Sequence, residues 1–300
     1  MKNDGSVTDY SHTLEVALAR NFDLGEGPLW DDESDTLVFV DCNQGRIHRF
    51  DPASGEISTV NVGVTIGVAI PRRTGGFVAS SVDGLLQVNE VSETTSLAVS
   101  IERDLPNNRM NDGKCDSRGR LWSGTLSIKF ERGAGTLYRI DPDFSLTSAV
   151  EGVRVSNGIG WSPDDRLMYF ADTLSSGIDV FDYDVDVGKL SNRHRLAEID
   201  REHGLPDGLA VDAEGCVWVA LFYGGQVRRY SPTGEWIGVV SLPVARVTSC
   251  NFGGPGLHDL YITTANFSLH DDGKPHEPEA GYLFRCRPGV QGLPSHKFAG

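Results

Sequence analysis

The chain has 300 residues, with 42 Asp and Glu against 27 Lys and Arg, and a formal net charge of −15. No basic stripe offsets that charge, which repels a phosphate backbone and excludes nucleic acid as an expected partner. Hydrophobic content of 39% and charged content of 23% are ordinary for a globular domain, and no apolar run approaches the roughly eighteen residues of a membrane-spanning helix.

The opening stretch MKNDGSVTDYSHT is polar and lacks the apolar centre of a secretory signal. Residues 1–11 are therefore expected to be a flexible tail on a cytoplasmic protein, and residues 12–300 a single domain. LEVALA (14–19) reads as a strand, and a unit that recurs six times follows it. In chain order its openings are Glu26-Gly27-Pro28-Leu29-Trp30, Ile66-Gly67-Val68-Ala69-Ile70, Asp112-Gly113-Lys114-Cys115-Asp116, Asn157-Gly158-Ile159-Gly160-Trp161, Asp207-Gly208-Leu209-Ala210-Val211 and Thr248-Ser249-Cys250-Asn251-Phe252. Copies lie roughly 40–50 residues apart, the period of a four-stranded propeller blade. Between the openings run β-branched and aromatic segments such as TLVFVD (36–41), LMYFAD (167–172), CVWVALF (216–222) and LYITTA (260–265), bounded by turns such as DDESD, DSRGR and DAEG. The pattern predicts an all-β, six-bladed β-propeller with four antiparallel strands per blade. LEVALA would complete the blade that ends in GYLFRCR (281–287), so pairing of the N- and C-terminal strands closes the ring and removes its edges. No amphipathic helix is expected. Two long insertions, 127–135 and 266–281, are expected to shape a site.

In such a ring one position from every blade faces a common channel. Aligning the openings puts Glu26, Ile66, Asp112, Asn157, Asp207 and Thr248 at that position, with Asn111 one residue earlier than Asp112. Asp, Asn and Gly before a strand also simply make turns, but here three carboxylates and two amides stand in register with a sixfold repeat. Two like charges about 4 Å apart repel by roughly 4 kcal/mol at an effective dielectric near 20, and one divalent cation turns that repulsion into attraction. Oxygen donors suit a hard ion, Ca²⁺ first, with Mn²⁺ and Mg²⁺ and then Zn²⁺ or Fe²⁺ admitted. The five cysteines include no CxxC pair and are expected to be buried, reduced thiols. The eight histidines show no HxH or HExxH spacing and are expected at the surface. Phe130, Phe222 and Tyr223 are expected in the core, as aromatic residues of strands commonly are. No GxSxG elbow, Walker A loop or dinucleotide fingerprint follows a strand.

The segments Gly25-Glu26-Gly27-Pro28-Leu29-Trp30, Arg109-Met110-Asn111-Asp112-Gly113-Lys114, Ser156-Asn157-Gly158, Pro206-Asp207-Gly208 and Thr248-Ser249-Cys250-Asn251-Phe252-Gly253-Gly254 together resemble the regucalcin (senescence marker protein)/gluconolactonase family, nearly end to end. The resemblance implies a propeller that holds a divalent cation in its channel and opens sugar lactones to aldonic acids. It implies Glu26, Asn157 and Asp207 as cation ligands, with Asp207 also activating water, and Arg109 and Asn111 as substrate contacts. In the more distant diisopropyl-fluorophosphatase propellers an amide like Asn111 is itself a ligand. Asn111 and Asp112 are thus candidates for a further shell of the cation, Asp112 lying deeper. Some members carry an acidic substrate contact just after the strand matching Leu121–Leu126, where this chain reads SIKFERGAG, and no residue is carried over there. A small-molecule sugar lactone, no nucleic acid, no membrane, and a monomer or weak homo-oligomer complete the expectation. The alternatives are a phosphotriesterase or aryl-lactonase on the same scaffold, or a non-enzymatic calcium-binding propeller. Arg109 and Asn111 speak for a hydroxylated substrate, whereas an aryl ester would want a more apolar mouth.

Overall fold

The computed structural model describes residues 7–266 and 277–300. Six sheets follow one another along the chain, each begun by an innermost strand: Gly25–Asp31, Ile66–Pro71, Asn108–Cys115, Ser156–Trp161, Leu205–Val211 and Val247–Gly253. Each innermost strand packs against the next around the ring, the sixth against the first. The inner two strands of every blade lie between neighbouring sheets and are covered on both faces. Segments such as Leu167–Asp172 and Val217–Phe222 accordingly read as unbroken apolar runs, whereas the outermost strand of the fourth blade, Lys189–Glu198, is largely exposed. Among the described residues the only helices are single 3₁₀ turns, and none is long and apolar enough to cross a membrane.

The ring closes as the sequence suggests: Glu15–Leu18 pairs antiparallel with Leu283–Cys286 as the outer strand of blade six. The tail expected over 1–11 is corrected from residue 7 onward. Thr8–Asp9 adds a parallel strand to the outside of blade five, opposite Gly238 and Val239, and Tyr10 N donates to Val239 O. The insertion predicted over 266–281 falls mostly outside the described residues. At the C-terminal ends of the innermost strands, the last residues of the chain cross from blade to blade. Gly292 bridges Asp212, the Lys297 ammonium meets Asp31 at 2.8 Å, and Phe298 is buried where it bridges Arg72. That strap ties blades five, one and two together and leaves the opposite end of the channel for the site.

Each innermost strand carries a bulge near its start, and the pairing with the second strand fixes which residues are equivalent. In blades two to six the last pair before the bulge joins Ile66, Met110, Ser156, Pro206 and Val247 to Ser81, Thr125, Asp172, Leu221 and Thr264, whereas in blade one it joins Glu26 to Val40. The next residues in blades two to six, Gly67, Asn111, Asn157, Asp207 and Thr248, are equivalent, while in blade one Glu26 stands one pair earlier. The sequence alignment was therefore one residue off in blades two and three: Gly67 and Asn111 stand where Ile66 and Asp112 were expected. The Asp112-Gly113 dipeptide imitates the Asn-Gly and Asp-Gly of the other blades one residue late. Glycine follows the ligand position where backbones approach closely, since a Cβ on Gly158 would stand 2.6 Å from Asp207 O.

Candidate functional site

A cavity of about 480 Å³ opens at the N-terminal ends of the innermost strands, and Glu26, Arg109, Asn111, Asn157 and Asp207 all line it. Blades one and four hold their contributions in the same way. An aspartate ends the second strand and turns back to accept from the backbone entering the first. Asp41 accepts from Asp23 N and Leu24 N, both at 3.1 Å, and Asp172 from Arg154 N at 3.1 Å and Val155 N at 3.0 Å. These anchors hold the backbone that leads into Gly25–Asp31 and Ser156–Trp161, the strands that carry Glu26 and Asn157. Sequence reading missed them, although the Asp that closes both VFVD and YFAD was visible.

Hydrogen bonds then link the amides and the arginine. Asn157 Nδ2 donates to Thr173 Oγ1 at 2.8 Å, which leaves its Oδ1 to accept from Asn111 Nδ2 at 3.2 Å. Asn111 Nδ2 also donates to Ser156 O, and its Oδ1 accepts from Arg109 Nη1 at 2.8 Å. The amide oxygen of Asn157 thus belongs to the axis, while Asn111 works as the strut between Asn157 and Arg109. Asp112 lies one residue further in, buried, with its Oδ1 accepting from Gly113 N at 2.7 Å.

Three carboxylates share this short length of channel. Burial raises the Glu26 carboxyl to about 8, with the Asp112 charge adding to the shift. Asp207 is pushed well above the usual carboxylate range by burial and by the charges of Glu26 and Asp112. Asp112 is raised because burial outweighs the attraction of Lys114. Arg109 and Lys114 are the cations at hand, yet both direct donors to amide or carbonyl oxygens: Arg109 Nη1 to Met110 O and Asn111 Oδ1, Lys114 Nζ to Leu209 O at 2.8 Å. Asp207 Oδ1 is buried with no hydrogen-bond partner. A buried orphan oxygen amid repelling carboxylates is costly unless a cation joins it. Among the described residues, no three His, Cys, Asp or Glu side chains stand close enough to hold a metal ion. The set here is instead two carboxylates and an amide, all of them hard oxygen donors, which fits a cation of the Ca²⁺ type.

Around this polar floor the wall is apolar. Phe130, Phe222 and Tyr223 line the cavity together with Leu126, Ile128 and Leu174; Phe222 is also buried, as expected of the core, whereas Phe130 and Tyr223 are not and their assignment is corrected. The Phe222 and Tyr223 rings meet at 4.5 Å and 66°, and Arg246 lies over Tyr223. The loop at 127–135 does border the site, through Ile128 and Phe130. All five cysteines are buried and free, as expected. His48 is not at the surface. It is buried against Phe22 and Phe39, because alternation along Arg46–Phe50 turns it into the sheet packing.

The family model described as SMP-30/Gluconolactonase/LRE-like region matches residues 24–266. Regucalcin of Xenopus laevis is 36% identical over 294 residues, covering 96% of this chain and 98% of the relative, and human regucalcin is 35% identical at the same coverage. A luciferin-regenerating enzyme superimposes with a TM-score of 0.89 at 31% identity, over 96% of this chain and 99% of that one. A regucalcin from Agrobacterium tumefaciens, described as a calcium-binding protein, does so with a TM-score of 0.90 at 28% identity, over 98% and 99%.

Proposed function

The chain belongs to the SMP-30/Gluconolactonase/LRE-like family, and from that premise we propose that it is a divalent-cation-dependent hydrolase that opens lactones to hydroxy acids. The observation that carries the reading is Asp207 Oδ1, buried without a partner in the cavity that Glu26 and Asn157 also line. Glu26, Asn157 and Asp207 would hold the cation, Ca²⁺ being the simplest match to their oxygens. When bound, such an ion supplies Lewis acidity and counter-charge for the developing oxyanion.

The chain's own groups do the rest. Asp207 takes a proton from the attacking water as the water oxygen bonds to the carbonyl carbon, and that proton is returned to the ring oxygen as the ring C–O bond breaks. Asn111, fixed between Asn157 and Arg109, keeps the arginine at the pocket wall, where its guanidinium suits the oxygens of the substrate and of the carboxylate product. Sugar lactones are the class the family name suggests. The apolar wall gives a second reading, an alkyl or aryl lactone, its own support.

The test is acid release from lactones by chelated protein with cations added back. Hydrolysis that returns only with the cation, and falls by about 10²–10⁴-fold in Asp207→Asn, supports the proposal. Cation binding with silence on every ester leaves the non-enzymatic propeller. Turnover of a phosphotriester in place of lactones moves the assignment to that class.

A further inference from the structure

We infer that the pocket selects lactones bearing an apolar alkyl or aryl substituent over polyhydroxylated sugar lactones. The inference rests on the lactonase reading and names the substrate class of that same site.

Three observations carry it. First, the wall above the polar floor is built from Leu126, Ile128, Phe130, Leu174, Phe222 and Tyr223. Ile128 is 57% and Phe130 42% exposed, so large apolar side chains stand in water at the mouth until a ligand covers them. Phe130 and Tyr223 both adopt left-handed backbone, at φ 55° and 65°, a conformation that costs an aromatic residue free energy.

Second, apart from the Arg109 guanidinium, polar groups that could serve a polyol are already partly engaged. On the wall, Asn43 Nδ2 donates to Asp23 Oδ2 at 2.9 Å and Thr173 Oγ1 accepts from Asn157. On the floor, the Asn111 amide is spent on Ser156 O, Asn157 and Arg109. Beyond those that the Arg109 guanidinium can serve, ring hydroxyls facing such a wall would lose water without gaining partners. An alkyl or aryl group loses nothing there and covers Ile128 and Phe130.

Third, the pocket does not end at the mouth. Arg109 and Ile128 also border a depression of about 660 Å³ across blades two and three, where Val82, Leu97 and Leu105 are exposed. A chain substituent leaving the pocket past Ile128 can reach Leu97, Leu105 and Val82, which stand there among polar residues such as Glu102 and Asn107.

The test uses the full chain with Ca²⁺ or Mn²⁺ and three substrates: δ-valerolactone, a six-carbon-chain δ-alkyl lactone, and glucono-δ-lactone. Calorimetry with the corresponding lactams, which resist hydrolysis, reads binding independently of turnover. The alkyl lactone is expected to exceed gluconolactone at least about tenfold in kcat/KM, the lactams are expected to follow the same order, and Ile128→Glu should cut the ratio by about tenfold. Equal or faster opening of gluconolactone overturns the inference and leaves the lactonase reading standing. Silence on all three lactones, with the alkyl lactam still preferred, removes the lactonase reading and keeps the selectivity. No preference among the lactams, or a ratio unmoved in Ile128→Glu, overturns the inference.

Discussion

At Asp207, burial and the neighbouring Glu26 and Asp112 carboxylates all act against the charged form. No described residue answers its Oδ1. The residue is therefore expected to weaken the cation-free fold while making the site, a trade common where function needs unfavourable groups held close. Asp207→Asn removes one of the repelling charges and keeps the shape. We expect the cation-free variant to be more stable than the parent by about 0.5–2 kcal/mol in urea unfolding, and to lose the stabilisation that added Ca²⁺ gives the parent. A variant less stable than the parent without cation would mean that Asp207 is a structural group. The neighbouring correction belongs to the same scale. Asn111, not Asp112, is level with Asn157 and Asp207, and its bonds make it the link between ligand set and arginine.

Strands set these residues in place through features with different visibility. The Gly after Glu26, Asn157 and Asp207 was legible because innermost strands crowd together there, as where a Cβ on Gly158 would stand 2.6 Å from Asp207 O. The bulge itself was not, since a one-residue register shift leaves no mark when an Asp-Gly pair sits nearby. The aromatic mouth escaped for a similar reason. Phe222 ends an apolar strand that is buried throughout, so composition cannot tell that its last residue also borders the cavity. His48 shows the reverse, a polar residue that alternation carries into a sheet interface. Burial, followed by the charges of Arg20 and Arg46, lowers its ring to about 4 from 6.5. The folded chain thus refuses a proton that the unfolded chain takes, and the stability present above pH 6.5 is lost as pH falls towards 4. The loss amounts to about 3 kcal/mol. Urea unfolding at pH 7 and pH 4 should show a smaller drop for His48→Gln than for the parent; identical drops would place the acid sensitivity elsewhere.

On the scale of the whole ring, the sequence disclosed the number of blades, their four antiparallel strands and the closing strand. All three follow from a repeat whose period equals one blade. The parallel strand at Thr8–Asp9 and the C-terminal strap were hidden, because each belongs to no repeat and is held by backbone bonds rather than by side-chain pattern. The closed ring is also what gives the proposal its force: it brings Glu26, Asn157 and Asp207, from blades one, four and five, to one cavity. The net charge of −15 further favours approach of a cation. Anomalous diffraction from crystals soaked in Mn²⁺ addresses that convergence directly. One peak within about 2.0–2.6 Å of oxygens from Glu26, Asn157 and Asp207 is the predicted result. A peak elsewhere in the molecule, or none in the channel at saturating Mn²⁺, would contradict it.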